Sequence, residues 1–169
     1  EEMKGAQGEK ILGLFNNDNM LFEIDRAGSK EPSIAEMTTK ALEVLGKDAD
    51  GFFLMVEGGR IDHAAHHNDI GAVIVDTLAF DDAIKVAYDY QKNNPDTLLI
   101  ITADHETGGL AVLPFSQTSE EFVGMNLTAI SKIKASYEVR NKELGKDPTL
   151  EKIKEVKKED MRLNSLKIK

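Results

Sequence analysis

Two runs, Phe52-Phe53-Leu54-Met55-Val56 and Leu98-Leu99-Ile100-Ile101-Thr102-Ala103, the second read as a strand over 97–102, lack the alternation of apolar and polar residues, and each leads into a histidine-bearing window. A strand that is apolar on both sides needs cover on both faces. A third short run, Ile11-Leu12-Gly13-Leu14-Phe15, precedes them. Two helical patterns lie between the runs. The first opens at Pro32-Ser33, with Ser33 and Glu36 spaced as a capping box. Met37, Ala41, Leu42 and Leu45 form its apolar face, and Gly46 stands at its expected end. The second runs from Ile70 to Gln91, with Ile70, Val73, Ile74, Leu78, Ala83, Ile84 and Ala87 at helical spacing. Asn93-Asn94-Pro95-Asp96 closes it as a turn. The order over residues 11–113 is strand–helix–strand–helix–strand. It predicts an α/β fold, a mostly parallel sheet with helices on both faces. In such sheets ligands bind beyond the carboxyl ends of the strands. Both windows fall there.

The composition changes after Thr118. Residues 119–145 and 148–163 are rich in Lys and Glu and helical in pattern, and Asp147-Pro148 reads as a cap and first helical residue. Residues 1–115 are therefore expected to be part of an α/β core, and 116–169 a charged helical segment of the same domain. The domain reads as truncated, with further sequence belonging to it. A length of 169 residues suits one domain. The net charge of −9 argues against a nucleic-acid partner, which asks for a basic face. No apolar run approaches the roughly 20 residues that span a bilayer, so no membrane partner is expected. No secretory signal is visible. The absence of cysteine excludes disulfides and thiolate metal sites.

The chain's four histidines are confined to the two windows. The first window is Glu57-Gly58-Gly59-Arg60-Ile61-Asp62-His63-Ala64-Ala65-His66-His67, and the second is Asp104-His105-Glu106-Thr107-Gly108-Gly109. Imidazole and carboxylate are ligands that zinc accepts. Asp62 and His66 are four apart, so on a helix they share a face and can share an ion. Asp104 and His105 form a second pair. Glu57 is a further candidate ligand, placed to serve a different metal. Two such pairs on one rim suit two metals about 4 Å apart, as in phosphoryl-transfer hydrolases. Each residue also has a plainer reading. Asp62 could cap a helix, and Glu57 could accept backbone N–H bonds. Arg60 could pair with Asp62 or a sheet-edge carboxylate. Glu106 and Thr107 could be turn residues, while His63 and His67 could be surface residues. The joint pattern favours the metal site.

At these residues the sequence resembles alkaline phosphatases. The match is Val56-Glu57-Gly58-Gly59-Arg60-Ile61-Asp62 with His66, then Thr102-Ala103-Asp104-His105. Glu106-Thr107-Gly108-Gly109 and Pro32-Ser33-Ile34-Ala35-Glu36-Met37-Thr38 look like the bacterial branch. The resemblance implies that Asp62 and His66 bind one zinc, Asp104 and His105 a second, and Glu57 a magnesium. His63 becomes a substrate-side candidate. Thr107 stands where several relatives have a supporting His. The resemblance also implies small phosphomonoester substrates, a phosphoseryl intermediate, a periplasmic or secreted location and a candidate homodimer. The family's nucleophilic Ser, in an Asp-Ser-(Ala/Gly) segment, has no counterpart, since no serine here follows an Asp. Its bridging Asp, phosphate-clamping Arg and late zinc-binding His are likewise not placed. The chain alone is expected to have little phosphatase activity and to bind zinc weakly. The competing readings are another hydrolase or mutase of the same superfamily, a non-catalytic metal-binding or interaction module, and a purely structural α/β domain.

Overall fold

Ser33 and Glu36 do close a capping box. The Ser33 hydroxyl accepts from the Glu36 N–H, and the Glu36 carboxylate accepts from the Ser33 N–H. The computed structural model describes residues 2–8, 10–111, 130 and 132–161. Its helices are α1 (Glu2–Gly5), α2 (Ile34–Leu45), α3 (Gly59–His66), α4 (Ile70–Asn93), α5 (Tyr137–Leu144) and α6 (Leu150–Met161), with a 3-10 turn at Glu23–Asp25. The long central helix α4 packs against α2, α3 and the 3-10 turn.

Small side chains set these approaches. Ala64, Ala72 and Ala83 are buried, and Phe22 closes the cluster with Ala64 and Ala72. Gly71 lies so close to Ile133 that a Cβ there would meet the Ile133 side chain at 2.7 Å. Edge-on packing of Phe52 against Tyr90, with ring centroids 6.0 Å apart, seats the segment before α3 on the end of α4.

The three expected strands differ from the sequence reading. Among the described residues no strand forms, and no ladder of hydrogen bonds joins segments 11–15, 52–56 and 98–101. Without a partner to take alternate N–H and C=O groups, an extended segment is not a strand. The expectation of burial on both faces also fails. Phe53 and Met55 are 89% and 73% exposed, whereas Phe52, Leu54 and Val56 are half-buried. Leu98 and Ile100 are exposed at 82% and 73%, with Leu99 half-buried between them. Exposure with a period of two is that of extended chain. In 52–56 one side is half-buried, with Phe52 against Tyr90 of α4, and the other is bare; in 98–101 Ile101 is also exposed, at 57%, so only Leu99 is partly covered.

The charged segment is corrected in two details. Of the expected helix at 119–145, α5 covers 137–144, and 112–129 lie outside the described residues. The cap of α6 is the Thr149 hydroxyl, which accepts from the Lys152 N–H, rather than Asp147.

Three carboxylates attach this segment to the rest. Asp69 is 1% exposed, and one of its oxygens caps α4 by accepting from the Ala72 N–H. Its other oxygen accepts from the Tyr137 N–H at 2.6 Å, at the start of α5. Asp25 accepts from the Ser136 N–H at 2.9 Å. Glu138 of α5 reaches the Arg60 guanidinium of α3 at 2.6 Å. Together they hold α5 against the start of α4 and the body of α3.

Candidate metal centre

The turn from residue 56 into α3 is built by glycine. A Cβ on Gly58 would lie 2.9 Å from Ile61 Cδ1 and 3.1 Å from the Phe80 ring. The chain therefore passes close to α4 and enters α3 with Asp62 in its first turn and His66 in its last. These two face one another as the four-residue spacing requires, with His66 Nε2 3.6 Å from Asp62 Oδ2. Arg60 packs 3.5 Å over the Phe22 ring and binds Glu138, and its Nη1 lies 3.1 Å from His63 Nδ1. It does not pair with Asp62, as one reading of the sequence had it. With both ends so held, Arg60 fixes the rotation of α3 about its axis.

The second window follows segment 98–101. Asp104 Oδ1 accepts the backbone N–H of His105, and Asp104 Oδ2 lies 3.3 Å from His105 Nε2. His105 Nδ1 is 2.8 Å from the Glu106 carbonyl. A carbonyl only accepts, so Nδ1 carries a proton and, in the neutral ring, Nε2 keeps its lone pair. The Glu106 carbonyl first, and then the Asp104 carboxylate, raise the His105 pKa above the usual imidazole value.

The two windows meet through Thr107 and Gly108. The Thr107 hydroxyl donates to Asp62 Oδ1 at 2.6 Å. Gly108 has φ +68°, and a Cβ there would sit 2.5 Å from the carbonyl oxygen of Ala65. Only glycine allows this backbone to lie on the end of α3. The bond from Thr107 is the main reason that the Asp62 carboxyl is held below its ordinary pKa, with His66, His105 and His63 adding to it.

Donor chemistry and spacing test the site for a metal. In a zinc tetrahedron with bonds of about 2.05 Å, neighbouring ligand atoms stand roughly 3.3 Å apart. The pairs here stand at 3.3 and 3.6 Å. Each pair thus fits two corners of such a site. Among the described residues no three His, Asp or Glu side chains converge on one point. Among the described residues Glu57 makes no hydrogen bond or ion pair and is not joined to either Asp/His pair. His67 ends α3 as an exposed cap residue.

Sequence reasoning gave Thr107 no contact and did not find Glu138, Asp69 or Asp25. Their partners lie 45 to 111 residues away, and no local pattern signals them.

Comparison with known proteins identifies the family. The family model described as alkaline phosphatase matches residues 1–165. The chain is 46% identical over 116 residues to the repressible alkaline phosphatase of Saccharomyces cerevisiae, a match covering 62% of this chain and 20% of that protein. It is 42% identical over 112 residues to alkaline phosphatase 3 of Bacillus subtilis, covering 66% of this chain and 24% of that protein. Its fold is similar to the crystal structure of Thermus thermophilus alkaline phosphatase, with a TM-score of 0.84 and 35% identity. That match covers 95% of this chain and 34% of the solved one. The chain therefore spans a fifth to a third of the length of these relatives.

Proposed function

The chain belongs to the alkaline phosphatase family, and from that premise we propose that it contributes part of a phosphomonoesterase site. Asp62 and His66 hold one zinc, Asp104 and His105 hold a second, and Glu57 serves a magnesium. The observation that supports this best is the pair of Asp/His edges, 3.6 and 3.3 Å long, drawn to one rim by the Thr107 bond. Zinc bound there supplies Lewis acidity and a water that ionises near neutral pH.

The chain's own residues do the positioning. Thr107 and the His105 N–H each occupy one carboxylate oxygen, which turns the other toward an imidazole Nε2. The glycine turns bring both pairs onto the same rim. His63, held at Nδ1 by Arg60, presents its other nitrogen as the substrate-side group. The nucleophile and the remaining ligands come from parts of the family domain outside these residues, and substrates are small phosphomonoesters.

The bare faces of 52–56 and 98–101 fit the same reading. Residues 1–115 form part of an α/β core whose sheet is completed by the rest of the domain, and 116–169 form a charged segment of it, helical at 137–144 and 150–161. A homodimer and a periplasmic or secreted location belong to this proposal also.

Hydrolysis of p-nitrophenyl phosphate by the full-length protein tests it. Zinc-dependent turnover that falls by a factor of about 100 or more with Asp104→Ala supports the assignment. Turnover that survives removal of zinc, or that Asp104→Ala leaves unchanged, overturns it. The 169 residues alone are expected to fall far below about 1 s⁻¹.

A further inference from the structure

We propose that α5 takes part in substrate binding: its Glu138 aims the Arg60 guanidinium at His63 and so sets His63 as an N–H donor toward a phosphate oxygen. This inference rests on the functional reading above and deepens it, by giving the charged segment a part in the site. Glu138 and Arg60 are positioning residues that act through His63. Three contacts carry the inference. Arg60 Nη2 donates to Glu138 Oε2 at 2.6 Å, across 78 residues of sequence. Arg60 Nη1 lies 3.1 Å from His63 Nδ1, one turn further along α3. Arg60 Cζ stands 3.5 Å over the ring of Phe22, which is itself buried.

A guanidinium is planar, always charged and a donor only. The Phe22 ring supports it from one side and Glu138 fixes its rotation, so the direction of the Nη1 hydrogens is set. Toward Arg60, His63 Nδ1 therefore offers a lone pair, and the proton of the neutral ring sits on Nε2. The other tautomer sets two donors against each other at Nδ1. It also leaves a lone pair on Nε2, which a phosphate oxygen repels. Arg60 thus decides whether His63 presents a donor or an acceptor. Glu138 arrives from a seated helix, since Asp69 and Asp25 hold the Tyr137 and Ser136 N–H groups at the start of α5.

The test uses the full-length, zinc-loaded protein. Ring nitrogen NMR of isotope-labelled histidine reads the tautomer. Hydrolysis of p-nitrophenyl phosphate, with inorganic phosphate as competitive inhibitor, reads binding. Wild-type His63 is expected to carry its proton on Nε2. Glu138→Ala and Arg60→Lys are expected to mix the tautomers and to raise KM and the phosphate inhibition constant by about 3–30-fold, with kcat changed less. Glu138→Gln keeps an acceptor oxygen and is expected to restore most of both. Glu143→Ala removes the same charge from the same helix, at its pair with Arg140, and is expected to match the wild type. In a His63→Ala background, Glu138→Ala is expected to add nothing. A wild-type His63 protonated on Nδ1 overturns the proposal. So does an effect of Glu138→Ala that persists without His63, or an equal effect of Glu143→Ala. If the wild type shows no zinc-dependent turnover, the functional reading fails and this inference with it. If the wild type turns over and Glu138→Ala matches it in tautomer or in KM, this inference alone fails.

Discussion

Asp69→Ala removes one buried carboxylate that serves two helices at once. Asp69 is 1% exposed, caps α4 through the Ala72 N–H at 3.1 Å and accepts from the Tyr137 N–H at 2.6 Å. Loss of a helix cap costs about 1 kcal/mol. Loss of a hydrogen bond to a charged acceptor in a buried place costs about 1.5–3 kcal/mol. The two contacts use different oxygens and different helices, so the costs add to about 2.5–4 kcal/mol, a large part of a domain's stability. Asp69→Asn keeps one acceptor oxygen but turns an amide toward the other N–H, and should cost about half as much. Urea unfolding followed by far-UV circular dichroism and by tyrosine fluorescence measures both, provided the two probes give one transition. Asp89→Ala, which removes an exposed pair with Lys85, serves as a control expected to change stability by less than about 0.5 kcal/mol. An Asp69→Ala protein that loses under about 1 kcal/mol would refute the claim that this carboxylate anchors α5.

Two further predictions concern a half-buried carboxyl and two glycines. Asp76 accepts from the Glu23 N–H, yet desolvation pushes its pKa up to about 6, helped by Glu23 and Asp25 and opposed by Arg60. The folded value lies above the ordinary one of 3.8, so the stability from the neutral form is present below about 4 and lost as pH rises through about 6. Asp76→Asn should flatten that fall and stabilise the protein at pH 7 by about 1 kcal/mol after solvent screening, which unfolding curves from pH 4 to 7 will show. Gly108 and Gly109 both have positive φ, but only at Gly108 would a Cβ strike backbone. Gly108→Ala should therefore cost about 2–4 kcal/mol and separate the windows, and Gly109→Ala about 1 kcal/mol of backbone strain alone. Equal effects by thermal unfolding would show that the contact with Ala65 is not made.

The sequence made α2 legible through its capping box, α4 through its apolar spacing, and the Asp62/His66 face through a four-residue repeat. All three depend on neighbours within a turn or two. The alternation of exposure along 52–56 was hidden, because Phe53 and Met55 are as apolar as the residues that meet the helices. An apolar run records what a segment can bury and leaves open what covers it. The anchors of α5 were also hidden. Asp25 and Ser136 are 111 residues apart, and Arg60 and Glu138 are 78 apart. A carboxylate that caps a distant helix looks, in sequence, like any surface carboxylate. Thr107 falls between these cases: its position in the window was visible, and its partner across the rim was not.

The proposed function requires that the two windows hold metal together. Elemental analysis of the full-length protein after dialysis, as wild type, Asp62→Ala and Asp104→Ala, tests it most directly. About two zinc ions per chain are expected in the wild type, with one lost on each substitution. Equal zinc in all three proteins, or none in the wild type, would contradict it.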